Sequence, residues 1–269
     1  WIFLMYKILF IGIGKMGFPM AGFLSEKYKV SVYNRSKEKI SIWKKKYGGN
    51  VVDNLNQLDE KFDFIISCIG NDDDLREITS NDTGCFNTIR KNTIFIDHST
   101  VSPKIVQELE LKLKEKEAFF LDAPISGGQL GAEKGQLSIM VGGDKNAFNK
   151  SESIFEVYGK KRKYMGSSGS GQLTKIINQI CIAGLVQGLS ESIYFMKQTK
   201  LNPEDVLDVI SSGAAQSWQM DNRFMTMTEN KFDFGFAVDL MRKDLSIAFD
   251  EAKKFGIDLE ITKIVDEFY

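Results

Sequence analysis

Lys7-Ile8-Leu9-Phe10-Ile11-Gly12-Ile13-Gly14-Lys15-Met16-Gly17 is the stretch from which the rest of the chain is read. Ile8, Leu9, Phe10 and Ile11 follow one another without a polar residue, which predicts a β-strand covered on both faces. The strand runs into a G-x-G-x-x-G turn at the head of a helix. Gly12 permits the tight turn, Gly14 lets the backbone approach a pyrophosphate, and Gly17 lets helix and strand pack closely. The helix N-terminus then offers N–H groups and a positive dipole end to phosphates. Gly12, Ile13, Gly14, Lys15, Met16 and Gly17 are therefore the expected dinucleotide-binding turn; the alternative is a set of glycines that serves packing alone.

Outward from this turn, further strands are predicted at Lys29–Tyr33, Asp63–Cys68, Thr93–Asp97 and Phe119–Ala123, and helices at Ser36–Tyr47 and Pro103–Glu117. Ser102-Pro103 supplies an N-cap and a proline at the first helical position. Such alternation argues for a doubly wound α/β domain over residues 1–165. The texture changes at Gly166-Ser167-Ser168-Gly169-Ser170-Gly171. From Gln172 to Gln198 there is no proline and apolar residues recur at helical spacing, a rod of roughly 40 Å. Another helix begins at Asn202-Pro203-Glu204-Asp205, and helical patterns run through Val238–Phe255 and Ile261–Phe268. The expected fold is thus α/β: an N-terminal Rossmann-like doubly wound sheet and an all-α domain over residues 166–269, linked by one long interdomain helix.

Bulk properties narrow the function. The 269 residues are 43% hydrophobic and 26% charged with a net charge of −1, which gives no reason to expect a nucleic-acid or anionic-membrane partner. Lys44-Lys45-Lys46 and Lys160-Lys161-Arg162-Lys163 read as solvated faces. Three scattered cysteines suggest neither a disulfide framework nor a metal cluster, and a reducing cytoplasm fits. A single histidine, His98, rules out a His-rich metal site, and no G-x-S-x-G elbow surrounds any serine; no metal is expected. No apolar run reaches bilayer length. Trp1-Ile2-Phe3-Leu4 lacks the features of a signal peptide and reads as an artefact of start-site choice before Met5.

Other residues carry chemistry. Tyr33-Asn34-Arg35-Ser36 ends the second strand without the carboxylate that usually bonds an NAD ribose. A guanidinium there suits the 2′-phosphate of NADP, so NADP is the preferred cofactor over NAD, with Asn34, Arg35 and Ser36 beside it; otherwise Arg35 is an exposed strand-end residue. Ile69, Gly70 and Asn71 follow the next strand and line the same cleft, while Asn71-Asp72-Asp73-Asp74 are placed to cap the following helix through their carboxylates. Ser126-Gly127-Gly128 follows a strand, where glycine N–H groups form an anion-binding nest beside the serine hydroxyl. Lys175, Asn178 and Gln179 share one face of the long helix, a costly polar triplet unless it serves a site or reaches water.

These residues fall into ordered motifs: Gly12-x-Gly14-x-Met16-Gly17-x-Pro19-Met20-Ala21; Asp97-His98-Ser99-Thr100-Val101-Ser102-Pro103; Asp122-Ala123-Pro124-Ile125-Ser126-Gly127-Gly128 with Gly131-Ala132 and Gly135; Gly169-x-Gly171 leading to Lys175-x-x-Asn178-Gln179; and Lys243-Asp244-Leu245. In that order, over essentially the whole chain, they resemble the 3-hydroxyisobutyrate (β-hydroxyacid) dehydrogenase family. The resemblance implies hydride transfer between a nicotinamide and a small 3-hydroxy acid, semialdehyde or 2-oxo acid. It makes Lys175 the acid–base group, a role a lysine fills near neutrality when burial or a neighbouring cation lowers its pKa. It places a substrate carboxylate at Ser126, Gly127 and Gly128, gives Asn178 and Gln179 to substrate or to the lysine, and puts Ser99, Thr100 and Lys243 against the cofactor. Candidate substrates are 3-hydroxyisobutyrate, tartronate semialdehyde, glyoxylate and succinic semialdehyde, and a homodimer or homotetramer is implied. Family chains run about twenty residues further than Tyr269. Among rivals, 6-phosphogluconate dehydrogenase is much longer and carries His-Asn after its lysine. Imine reductases replace the lysine, and a non-catalytic nucleotide-binding scaffold would have lost it.

Overall fold

In the computed structural model, which describes residues 6–58 and 60–269, strand β1 (Lys7–Ile11) sends its side chains alternately to two cores. Ile8 and Phe10 point into one cluster with Met20, Leu24 and Phe155. Leu9 and Ile11 point into a second with Leu75, Val106 and Leu109. The same alternation holds in β4 (Phe64–Ser67), β5 (Ile94–Asp97) and β6 (Phe119–Asp122): Phe64, Ile66, Ile94, Ile96 and Leu121 enter the first cluster, Ile65, Phe95 and Phe120 the second. A period of two with both faces apolar is why these strands read as unbroken hydrophobic runs.

Strands β2 (Lys29–Tyr33) and β3 (Asn50–Val51) lie on one side of β1, and the parallel order is β3-β2-β1-β4-β5-β6. Helices α1 (Gly17–Ser25), α2 (Lys37–Tyr47), α3 (Asp72–Thr79) and α4 (Pro103–Lys114) connect them. Ser36 and Ser102 cap α2 and α4, accepting from Lys39 N and Ile105 N. Helix α4 stops at Lys114, short of the expected Glu117, because Glu117 adopts a left-handed conformation (φ 53°) and its carbonyl accepts from Asn92 N.

The sheet goes further than the sequence suggests. After β7 (Ile125–Ser126) and α5 (Gly128–Glu133), β8 (Leu137–Gly143) pairs antiparallel with both β6 and β7. Helix α6 (Lys145–Tyr158) then leads to β9 (Gly159–Gly166), parallel to β8. Lys160-Lys161-Arg162-Lys163, expected as a solvated face, is therefore an outer strand, exposed at its three lysines, with Arg162 half-buried against Glu152 and Glu156, and hydrogen-bonded into the sheet. Trp1–Leu4, read as an artefact of start, lie outside the described residues.

Helix α7 (Ser170–Lys197) has 28 residues. It is long and apolar enough to cross a membrane by length and composition, which corrects the expectation that no run is. Its first turns carry Gln172, Lys175, Asn178 and Gln179. The chain divides into two compact units, Trp1–Lys175 and Ile176–Tyr269, the division falling inside this helix. The second unit is helical: α7, α8 (Pro203–Ser211), α9 (Trp218–Thr228), α10 (Val238–Phe255) and α11 (Glu260–Phe268). Asn202 caps α8 with its carbonyl oxygen, accepting from Glu204 N and Asp205 N. Its two small cores gather Leu189, Ile193, Met220 and Phe224, and Ala183, Met241, Leu245 and Val265. Many large apolar side chains of this unit remain exposed, among them Phe195 (72%), Ile261 (72%) and Phe268 (67%).

Candidate active site

The chain leaves β1 towards β2 on one side and returns to β4 on the other, so the carboxyl ends of β1 and β4 form a topological switch point. The glycine turn lies there. Gly12 N donates to Tyr33 O (2.9 Å), and Ile13 N donates to Asn34 Oδ1 (3.2 Å). Asn34 thus acts first as a staple between the turn and the end of β2, its own amide donating to Ser36 O. A Cβ on Gly17 would stand 2.0 Å from Gly12 O, and one on Gly12 (φ 91°) 2.4 Å from Cys68 O. A Cβ on Gly14 would meet nothing within 4 Å. Two glycines are closed by packing and the third opens on space, as a pyrophosphate's approach requires. Met16 at the head of α1 supplies no side-chain cap and the first turn has no acid, leaving the positive end of the helix to a phosphate. The residues present fit a dinucleotide.

Arg35 is largely exposed, its guanidinium 2.8 Å from Asp74 and 3.6 Å from Glu77 on α3. Helix α3 is capped by the Asn71 amide oxygen, which accepts from Asp74 N at 2.8 Å. The cap is therefore the asparagine rather than the neighbouring carboxylates, and Asp72 instead accepts from Ser102 N and Oγ. Cys68 follows β4, and burial together with Asp97 pushes its thiol up to about 12, so it stays protonated.

Beyond β5 the loop turns inward. Ser99 Oγ donates to Asp97 Oδ1 (2.6 Å) and accepts from Ile69 N (2.9 Å), and Ser67 Oγ donates to the same Asp97 oxygen (2.7 Å). Ser99 is thus buried as a bracket between β5 and the loop after β4, while Thr100 is half-buried. His98 is enclosed, with Nδ1 2.6 Å from Ala123 O and Nε2 2.9 Å from the Tyr158 hydroxyl. Ser126 ends β7; Gly127 (φ 131°) and Gly128 (φ 61°) follow in left-handed conformations that favour glycine. Gly128 is exposed and a Cβ there would meet nothing within 4 Å.

The start of α7 is fastened to the sheet by residues that motif reading did not single out as functional. Asp122, buried at the end of β6, accepts from Gly169 N and Gln172 N, both at 2.9 Å. Gln172, equally buried, accepts from Val101 N (3.2 Å) and donates to Ser99 O (2.9 Å). Lys175 lies one turn on and is 7% exposed. In the second unit, Asn178 donates to Gln179 Oε1 (2.7 Å), Gln179 donates to Asp244 Oδ2 (2.6 Å), and Lys243 stands 3.0 Å from Asp244 Oδ1. Asp244 is buried; its only sequence signal was its place between Lys243 and Leu245.

Known proteins extend the geometry. Residues 7–166 match the NAD binding domain of 6-phosphogluconate dehydrogenase, and residues 169–269 match the NAD-binding region of NADP-dependent 3-hydroxyisobutyrate dehydrogenase. The chain belongs to the 3-hydroxyisobutyrate dehydrogenase family. An oxidoreductase of Shewanella frigidimarina is 46% identical over 98% of this chain and 91% of its own length. The 2-hydroxy-3-oxopropionate reductase of Escherichia coli is 31% identical over 98% and 90%. The solved structure of Mycobacterium tuberculosis 3-hydroxyisobutyrate dehydrogenase with L-serine superposes with a TM-score of 0.84 at 25% identity, over 98% and 92%. The chain is accordingly an NAD(P)-dependent hydroxyacid dehydrogenase with a Rossmann-like nucleotide-binding domain.

Two buried groups at this edge of the sheet give opposite pH dependences. Burial pushes His98 down to about 4 against its bond to Ala123 O. The folded chain therefore binds fewer protons there than the unfolded chain, whose histidine titrates near 6.5. Stability from neutral His98 is complete above that value and is lost as pH falls through 4. Burial pushes Asp122 up to about 7, with Asp97 adding to it and the Gly169 and Gln172 amides opposing. The stability from its proton uptake is complete below about 4 and is lost as pH rises through 7. Urea unfolding of His98→Asn at pH near 7 and near 4.5 isolates the first effect. Acidification should cost the variant about 2–3 kcal/mol less than it costs the parent; equal acid losses in both would remove His98 as a source of acid lability.

Proposed function

We propose that this chain transfers hydride between NADP(H) and a small C3-oxygenated carboxylic acid, with Lys175 moving the proton. The observation that carries the reading is Lys175 itself: a nearly buried lysine fixed at the carboxyl edge of a parallel sheet, on the same unit as a glycine turn that fits a dinucleotide. The bound nicotinamide supplies or accepts the hydride. Lys175 donates a proton to the carbonyl oxygen as it becomes an alkoxide, or removes it from the alcohol in reverse; a positioned acid contributes about 10²–10⁴-fold. Ser126, Gly127 and Gly128 hold the substrate carboxylate, and Asn178 and Gln179 continue the polar face of α7.

The relatives favour a substrate class. 3-Hydroxyisobutyrate, 2-hydroxy-3-oxopropionate (tartronate semialdehyde) and L-serine, named with two of them, share a C1 carboxylate, a C2 substituent and an oxygen on C3. We place this chain's substrate in that class, ahead of glyoxylate and succinic semialdehyde. We read the exposed apolar residues of the helical unit, Phe195, Ile261 and Phe268 among them, as covered by a second copy in a cytoplasmic homo-oligomer. Light scattering at micromolar concentration should then give a dimer or tetramer, and a strict monomer would reject it.

A panel of the four acids and aldehydes, assayed by nicotinamide absorbance, tests the reaction. Lys175→Ala should lower turnover about 10²–10⁴-fold while NADPH binding by fluorescence stays close to that of the parent. Lys175→Arg should not restore it, since a guanidinium holds its proton too tightly to donate. Near-normal turnover in the alanine variant would give the acid role to another residue.

The NADP preference rests on Arg35. The guanidinium leans on Asp74 and Glu77; a 2′-phosphate offers it a stronger, bidentate partner. Arg35→Ala should raise KM for NADPH much more than for NADH. An equal rise for both cofactors would make Arg35 an ordinary surface residue.

A further inference from the structure

A lysine that transfers a proton has to sit within a fraction of an ångström of where the substrate oxygen arrives, and a lysine side chain has four rotatable bonds with which to miss. The position of its Cα is therefore the first quantity the fold has to set. In this chain the Cα belongs to the second turn of α7, and two buried side chains, Asp122 from the end of β6 and Gln172 on the turn itself, hold the turn before it. Asp122 reaches from the end of β6 to the amides of Gly169 and Gln172, one carboxylate oxygen to each. Gln172 reaches the other way, to Val101 N and Ser99 O in the loop after β5.

The surroundings leave no slack. A Cβ on Gly171 would lie 2.4 Å from Met140 O, 2.6 Å from Asp122 O and 2.7 Å from Asp122 Oδ2. A Cβ on Gly142 would lie 2.5 Å from Asp122 Oδ1 and 2.9 Å from Gly171 N. The helix start is pressed onto β6 and β8 until only hydrogen fits between them. A helix N-terminus could have been capped by any local serine or aspartate. A cap drawn from a strand end 47 and 50 residues away fixes the helix to the sheet as well as ending it. Gln172 adds a second constraint: its carboxamide ties the same turn to the backbone that presents Ser99 and Thr100.

We propose that Asp122 and Gln172 are positioning residues of the reaction, a buried clamp that sets Lys175 on α7 in register with the Ser99–Thr100 loop. The proposal rests on the reading of Lys175 as the proton-transfer group. Neither residue reaches the reacting atoms; each acts through the place of the lysine and of the loop. Misplacement of about 1 Å lowers rates roughly 10²-fold without loss of binding, so the clamp should show itself in kcat rather than in cofactor affinity.

Asp122→Asn tests it in the full chain. The side chain keeps its shape, but its amide nitrogen must face one of the two backbone N–H groups, so one bond is broken. With NADPH and whichever of the four panel substrates the parent turns over fastest, kcat should fall about 10- to 100-fold. The NADPH dissociation constant should stay within about twofold of the parent, and amide hydrogen exchange at Gly169 and Gln172 should accelerate at least tenfold. Gln172→Met, which cannot bridge Ser99 and Val101, should give the same split, and it decides the matter if Asp122→Asn does not fold. A kcat within twofold of the parent, or a loss in kcat matched by an equal loss in cofactor affinity, overturns the clamp. Lys175→Ala with and without added methylamine runs alongside. If it is inactive and rescued by the amine while Asp122→Asn is not slowed, the clamp fails and the lysine stands. If Lys175→Ala keeps its turnover, the lysine reading fails and the clamp falls with it.

Discussion

A buried carboxylate at the end of β6 holds the first turn of α7 on the sheet. Taking the Asp122 carboxyl out of water is unfavourable by several kcal/mol if nothing compensates. Here two backbone N–H groups and the positive end of a 28-residue helix face it. The exchange satisfies donors that every helix leaves open at its head, and it does so from the sheet. Lys175, one turn further along α7 in the same unit, starts from that fixed point. The upward push on the Asp122 carboxyl shows that compensation is incomplete: the anchor is held against a desolvation cost that the amides only partly offset.

The strands that could be read from sequence were those whose environment is apolar on both sides. Lys7–Ile11 and Lys29–Tyr33 have the bounds their composition predicts, β5 and β6 lose one residue, and β4 loses one at each end. Helices α2, α4 and α8 were legible because their caps are local: Ser36, Ser102 and Asn202 each bond an amide two or three residues on. The last three strands were not. β7 is two residues long, β8 ends in two glycines, and β9 carries four basic side chains in a row. Their strand character is lent by neighbours in the sheet, and a linear pattern holds no trace of that.

The site divides in the same way. The glycine turn was visible because its spacing and its place between strand and helix mark it, whereas Lys175 stood out as part of a polar face with Asn178 and Gln179 and drew its role from the family resemblance. Ser99 was expected at the cofactor, but its hydroxyl is engaged between Asp97 and Ile69 N, so its side chain shapes the loop from within. Asp122, Gln172 and Asp244 were quoted in, or stood beside, recognisable motifs with no role attached to them. Their partners lie 47 to 73 residues away, at Gly169, Ser99 and Gln179. A buried polar residue discloses its work only when its hydrogen bonds are counted.

The basic run on β9 looks different once it is known to be the outer strand. A sheet that is parallel for most of its width and apolar on both faces presents, at its rim, a row of backbone donors and acceptors ready to take another strand. At one rim this chain puts β3, two residues long; at the other, Lys160, Lys161, Arg162 and Lys163. A second molecule offering the same strand would bring three exposed lysines against three, Arg162 being paired with Glu152 and Glu156. The sheet is thereby kept finite, because its basic rim repels a second copy of itself.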